Sequence, residues 1–193
     1  MNLHLIKSFL KFIYNSKNQH GVHSPFVFNL VTKCFYDKTN YEEYSILKSN
    51  LKFSNYPISS KQVNLLFRVV HYLQPKSILE IGSSLESGSS VFSLGYKCAT
   101  ISLQNSSSDF HDLIYFGDNP TQKATLTYFE LLLPTITNDS VWIFDGIHWS
   151  KDMEEAWEVI KKHPKVSVTI DTFQWGIVFF RSEQMKEHFV IRV

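Results

Sequence analysis

The sequence predicts an α/β fold: a mostly parallel sheet with an antiparallel final strand, preceded by an N-terminal helical segment. Two observations carry this. After Pro75, short apolar runs alternate with segments of helical period, the signature of βαβ units with helices on both faces of a parallel sheet. The link between two late strands, Val166–Ile170 and Gly176–Arg181, is only five residues. A parallel crossover needs a dozen or more, so those strands pair antiparallel. The chain accordingly divides into a helical segment, 1–75, and an α/β domain, 76–193.

The elements follow from local chemistry. Leu3, Leu5, Ile6, Phe9, Leu10, Phe12 and Ile13 recur at helical spacing, predicting an amphipathic helix over residues 1–15. It lacks the continuous apolar centre and small-residue cleavage site of a signal peptide. Its expected role is packing on the domain; attachment to a membrane surface is the other reading, with only Lys7 and Lys11 to support it. Ser24 as N-cap and Pro25 in the first turn start a second helix, running to about Tyr36. Asn40 and Glu43 stand at capping-box spacing for a third, from about Tyr41 to Lys52. A fourth starts at Ser59 or Ser60, buries Val63, Leu66, Phe67, Val70 and Leu73, and stops at Pro75.

Strands are then expected at 77–82, 99–103, 112–116, 140–145, 166–170 and 176–181, with Phe189–Val193 as a further one. Helices are expected at 87–96, 121–133 and 150–163. The last has Asp152, Glu154 and Glu155 near its start and Lys161, Lys162 and His163 near its end, the order the helix dipole favours.

Composition excludes several classes. With 44% hydrophobic and 19% charged residues the chain is globular rather than disordered. A net charge of +1 and the lack of any Lys/Arg run argue against nucleic-acid binding. No apolar run reaches the ~18 residues of a membrane span. Cys34 and Cys98 read as buried free thiols, which places the protein in the cytoplasm. Sixteen Phe, nine Tyr and four Trp must be buried in the core or against a partner. Trp142, Trp149, Trp157 and Trp175 are assigned to such contacts. His20 and His23 bracket a turn without neighbouring ligands, and a structural role is expected for them.

In an open parallel sheet, ligands bind at the carboxyl ends of the strands. The first strand ends Glu80-Ile81-Gly82-Ser83, a carboxylate followed by a small residue that lets backbone approach a ligand. Glu80-Ile81-Gly82 resembles the first motif of class I S-adenosylmethionine-dependent methyltransferases. Asp112-Leu113-Ile114-Tyr115-Phe116 resembles their fourth strand, and Phe144-Asp145-Gly146-Ile147-His148-Trp149-Ser150 the segment after their fifth. The hairpin through Phe173-Gln174-Trp175-Gly176 is similar to their antiparallel finish, and the His20-Gly21-Val22-His23-Ser24-Pro25 turn to bacterial relatives of the small-molecule O-methyltransferases. The resemblance implies a Rossmann-like domain. It also implies that Glu80, Gly82 and Ser83 line the methionine and ribose parts of S-adenosylmethionine, with Gln104 where a ribose-binding acid stands. Asp145 would occupy a metal-holding position and His148 lie beside it, the two being the candidate catalytic residues.

Four departures qualify that implication. Glu86 stands near a family glycine. Gly117-Asp118-Asn119-Pro120 replaces an Asp-Gly pair. The metal-binding carboxylate pair is reduced to Asp145-Gly146, a poor site for a hard cation. The stretch from Gly82 to Asp112 is short, and the link Gln104–His111 spans at most ~28 Å, so one or two sheet strands are expected to be missing. A shortened sheet leaves an edge to be covered by a protein partner or a second copy. The expected function is therefore a degenerate, non-catalytic methyltransferase-like protein that acts as a binding or interaction module, holds no metal, and keeps S-adenosylmethionine only weakly or not at all. The alternative is an active methyltransferase transferring to oxygen or nitrogen of a small molecule.

Overall fold

The structure is a computed structural model that describes residues 3–51, 59–82, 100–103, 110–117 and 121–193, together with Val91 and Gly95. Ser83, Glu86, Cys98, Gln104 and the Asp118-Asn119-Pro120 turn lie outside the described residues, as does most of the helix expected at 87–96.

Among the described residues seven strands form one sheet: β1 (Ser77–Ile81), β2 (Thr100–Leu103), β3 (Leu113–Phe116), β4 (Val141–Asp145), β5 (Val168–Asp171), β6 (Trp175–Phe179) and β7 (Glu187–Val190). Their spatial order is β2-β1-β3-β4-β6-β5-β7. All neighbours pair parallel except β6, which runs antiparallel to both β4 and β5. The short β5–β6 link thus closes a hairpin, as expected. The seventh strand overlaps the expected Phe189–Val193 but starts and ends earlier, at Glu187 and Val190, and pairs parallel with β5 at the far edge. A bridge from Lys17 to Ile191 then extends that edge with the N-terminal segment.

Side-chain alternation assigns the two faces. Ile78, Leu113, Tyr115, Val141, Ile143, Trp175, Ile177 and Phe179 point to one, covered by α2 (Pro25–Leu30), α3 (Glu43–Leu51) and α4 (Ser60–Leu73). Leu79, Ile114, Phe116, Trp142, Phe144, Val178 and Phe180 point to the other, under α5 (Gln122–Leu132) and α6 (Lys151–Lys162). Each fully buried side chain of this size contributes about 1.5–3 kcal/mol of transfer free energy. The aromatic content is spent here: Phe116 stacks on Phe144 at 4.2 Å, and Trp142 meets Phe129 and Phe180 edge-on. Trp142, Trp157 and Trp175 are buried, while Trp149 is half-buried.

Several helix termini behave as their residues dictate. Ser59 caps α4 in a reciprocal capping box with Gln62. Ser24 caps α2, with Pro25 in its first turn, and His20 and His23 on the preceding turn are exposed. Two helices depart from expectation. The second is regular only to Leu30 and widens into a π turn over Val31–Phe35, where Tyr36 N donates to Val31 O at 2.9 Å. The third starts at Glu43, so Asn40 is not its cap. Asp37 explains this: its carboxylate accepts from Thr39 N, Thr39 Oγ1 and Tyr41 Oη and holds residues 37–41 in a turn. Cys34 is a buried free thiol, pushed up to about 12 by its burial. No helix among the described residues is long and apolar enough to cross a membrane.

Packing leaves no room for a side chain at Gly176 in β6, where an added Cβ would meet the Trp157 ring at 2.6 Å and Ile147 Cγ2 at 3.0 Å. Both partners belong to the buried cluster under α6. Gly176→Ala is therefore expected to overpack the core and to lower stability by about 1–3 kcal/mol in urea unfolding; an unchanged midpoint would mean that the ring has room to move.

Candidate functional site

The carboxyl ends of β1, β3 and β4 lie side by side, and their registers bring three polar side chains onto one face. Glu80 of β1 is opposite Tyr115 of β3, which is opposite Ile143 of β4, and Asp145 follows two residues on. All three are buried, at 2%, 0% and 1% exposure. The carboxyl ends of these strands therefore carry three buried polar side chains on one face. Beyond Glu80, Gly82 is exposed with φ at +106°, a backbone conformation that L side chains rarely adopt. Gly117 N donates to Ile81 O at 2.9 Å and ties the end of β3 to the same turn.

Asp145 is held by a relay that crosses three elements. Its Oδ1 accepts from Gln174 Nε2 at 2.7 Å and its Oδ2 from Tyr115 Oη at 3.2 Å. Gln174 Oε1 in turn accepts from Gln62 Nε2 at 2.6 Å, and Gln62 Oε1 accepts from Ser59 N at 2.7 Å. The capping box of α4 is thus the far end of a chain reaching the carboxylate. Gly146, next in sequence, has φ at +65° and lies under the Trp149 ring, which would sit 2.6 Å from an added Cβ.

His148 lies in a separate network. Nδ1 is 2.8 Å from Glu154 Oε1 and Nε2 is 2.8 Å from Asp171 Oδ2. Ionised carboxylates only accept hydrogen bonds, so these two contacts favour hydrogen on both ring nitrogens, the imidazolium form. Burial alone would lower its pKa. The hydrogen bonds and charges of Asp171 and Glu154 outweigh that and raise it above the ordinary value. Glu154 is displaced the other way: burial would raise it, but hydrogen bonds from Ser8 and His148 hold it below the ordinary carboxylate range. Ser8 and His4 belong to α1 (Leu3–Asn15), and His4 Nε2 lies 3.9 Å from Glu154. The pair of carboxylates around His148 therefore joins α1, α6 and the end of β5.

Phe173 completes the arrangement. It stacks on His148 at 5.1 Å and meets Phe9 and Phe12 of α1 at 5.0 and 5.4 Å. Its φ is +71°, an outlier for a bulky residue that costs on the order of 1–3 kcal/mol. Asp171 Oδ1 accepts from Phe173 N at 2.7 Å and fixes that turn. The same Asp171 thus anchors His148 through one oxygen and the strained hairpin through the other.

The candidate residues read from sequence fall in three places. Glu80, Gly82 and Asp145 share the strand-end region. His148 sits beyond it, engaged with Glu154 and Asp171. Ser83 and Gln104 lie outside the described residues. Among the described residues, no group of three or more His, Cys, Asp or Glu side chains could hold a metal ion.

Sequence reasoning passed over Tyr115, Gln62, Gln174, Phe173, Glu154 and Asp171. Glu154 had a sufficient reason to exist in the helix dipole, and Gln62 in its capping box. Asp171 could have been found, since an acid at the end of a strand followed by a tight turn is a common anchor of backbone N–H groups.

No family model matches the chain, and neither does the sequence of any curated protein. Solved structures do match. A methyltransferase of Podospora anserina bound to S-adenosylhomocysteine superposes with a TM-score of 0.57 at 10% identity, over 83% of this chain and 97% of that one. An O-methyltransferase from Bacillus cereus in complex with S-adenosylhomocysteine gives 0.51 at 15% identity, over 75% and 94%. The O-methyltransferase TomG from Streptomyces achromogenes, involved in tomaymycin synthesis and bound to S-adenosylmethionine, gives 0.50 at 14%, over 75% and 92%. This chain has the Rossmann-like fold of those methyltransferases.

The His148 network has a definite pH signature. A raised histidine pKa means that its contribution is complete below the ordinary value of 6.5 and is lost as pH rises through the folded pKa. The lowered Glu154 pKa means that its contribution is complete above 4.5 and is lost as pH falls through the folded value. The stability difference between wild type and His148→Gln is therefore expected to be largest between pH 4.5 and 6.5 and to shrink on both sides, read by thermal unfolding across pH. A difference independent of pH would show that the ring acts only by packing.

Proposed function

We propose that this chain uses the methyltransferase fold as a ligand-binding or protein-interaction module and does not transfer methyl groups through Asp145 or His148. The carrying observation is that carboxylates engage both ring nitrogens of His148 at 2.8 Å. A general base needs a lone pair within reach of the proton it removes, and an imidazolium has none. Asp145 supports the same reading: its carboxylate is 1% exposed and accepts from Tyr115 and Gln174, an arrangement that fixes a hairpin to the sheet. In this reading the protein is cytoplasmic, binds no nucleic acid, and has a protein partner or a second copy of itself over the edge of its sheet.

A second reading is an active S-adenosylmethionine-dependent methyltransferase acting on oxygen or nitrogen of a small molecule. Two observations favour it. The structural neighbours are bound to S-adenosylmethionine or S-adenosylhomocysteine. Gly82 also leaves open backbone at the end of β1, against which a methionine moiety could lie. Glu80, Gly82, Ser83 and Gln104 would then contact the cofactor, and Asp145 or His148 would act on the acceptor. The buried carboxylate of Glu80 fits that role less well than the exposed Gly82 does.

The two readings separate in one assay. Incubation with isotopically labelled S-adenosylmethionine and a panel of hydroxylated aromatic acceptors is expected to give no labelled product above a heat-inactivated control. Labelled product that disappears in Asp145→Ala, with fold retained by circular dichroism, would establish the second reading instead.

A further inference from the structure

We propose that the outer face of α1 docks on an anionic lipid surface and holds the domain against a membrane without crossing it. This goes beyond the function proposed above and stands whether or not the chain transfers methyl groups. It starts from a helix whose most apolar side points away from the domain. The two buried residues of α1 are Ser8 and Phe12. Ser8 hydrogen-bonds Glu154, His4 lies 3.9 Å from the same carboxylate, and Phe12 meets Phe173. At about 100° per residue, Leu3, Ile6, Leu10, Ile13 and Tyr14 fall within an arc of about 100° roughly opposite Ser8. No polar residue of α1 other than the Tyr14 hydroxyl falls in that arc. Leu3, Leu10 and Tyr14 are 65%, 63% and 90% exposed, while Ile6 and Ile13 are half-buried. The helix α6 does the reverse, turning Met153, Ala156, Trp157 and Ile160 inward.

The charge that borders this arc is positive. Residues 1–36 hold Lys7, Lys11, Lys17 and Lys33 and no Asp, Glu or Arg, in a chain whose net charge is only +1. Lys7 stands at the margin of the arc and is exposed, as are Lys11 and Lys17. None of these lysines enters a salt bridge among the described residues. The acids that face α1 lie on its other side. Glu154, Glu155 and Glu158 of α6, with Asp171, line a groove shared with Ser8, Lys11 and Asn15. Those three glutamates pair with His148, Lys151 and Lys161. On the Phe9 side Arg192 adds little, because the Val193 carboxylate adjoins it.

An apolar face bordered by lysines matches the boundary between acyl chains and anionic headgroups, where each lysine adds an attraction of its own. Tyr14 and the 46%-exposed Phe9 supply the aromatic side chains that favour interfacial depth. At 13 residues α1 is about 20 Å long, too short to span the hydrocarbon core, so it lies in the plane of the surface. A second copy of the chain fits this face less well. A face of that length covers well under the ~800 Å² that each partner of a stable interface buries. It would also bring two lysine-bearing helices together with no acid on either.

The test is flotation of the full chain with vesicles of phosphatidylcholine alone and with phosphatidylserine added, at pH 7 and low salt. Binding is expected to be at least about tenfold stronger to the anionic vesicles and to weaken as salt rises. Leu3→Gln/Leu10→Gln keeps helix propensity and touches no core position, so it should abolish flotation at an unchanged melting temperature. Lys7→Gln/Lys11→Gln should narrow the difference between the two vesicle types. No flotation with anionic vesicles, or flotation that the leucine substitutions leave intact, would overturn the proposal. An undiminished difference in the lysine variant would overturn the assignment to anionic lipid. A dimer in sedimentation that the leucine substitutions dissociate, with no flotation, would assign the face to a second copy instead. None of these outcomes bears on methyl transfer, which the labelled-cofactor assay reads separately.

Discussion

The imidazolium of His148 between Glu154 and Asp171 is the interaction on which the rest of this end of the molecule depends. Three pieces of chain distant in sequence meet at it: α1 through Ser8 and His4, the first turn of α6 through Glu154, and the end of β5 through Asp171. The ring and the Asp171 carboxylate are both largely buried, at 13% and 12% side-chain exposure. In such surroundings, removing one partner of a charged pair costs about 3–5 kcal/mol, mostly because the other is left uncompensated. Ordinary surface pairs in the same protein, such as Lys151 with Glu155, contribute little by comparison.

The strain at Phe173 is intelligible only against this network. A phenylalanine at φ +71° is tolerated because Asp171 accepts from its N–H while His148, Phe9 and Phe12 enclose its ring. Holding Phe173 there sets the position of the next residue, Gln174, whose amide reaches Asp145 on one side and Gln62 on the other. Charge, strain and relay therefore form one connected arrangement. It holds Asp145 and His148 in hydrogen bonds to Tyr115, Gln174, Glu154 and Asp171.

The fold was legible because its signals are local and mutually consistent. Apolar strand runs, Ser59 and Ser24 at helix starts, Pro75 after α4 and the short β5–β6 link each point to one architecture. The misreadings were also local: Asp37 competes for the turn that Asn40 was expected to cap, and the regular α2 gives way to a π turn. The expected loss of one or two strands is not shown by the fold, since the matched region covers 97% of the Podospora chain. The site was legible only in part. Asp145, Glu80 and Gly82 stand at strand ends, where periodicity and motif both point. The partners that decide what Asp145 and His148 do come from residues 8, 62, 115, 154, 171 and 174, whose proximity is created by topology. Nothing in a one-dimensional pattern joins Ser8 to Glu154 or Gln62 to Gln174.

The most direct measurement is nitrogen-15 NMR of the His148 ring, assigned by its disappearance in a His148 substitution. Both ring nitrogens are expected to be protonated at neutral pH and to titrate with a midpoint above that of an ordinary histidine. A neutral ring at pH 7 with one unprotonated nitrogen would contradict it, and would return to His148 the lone pair that a general base requires.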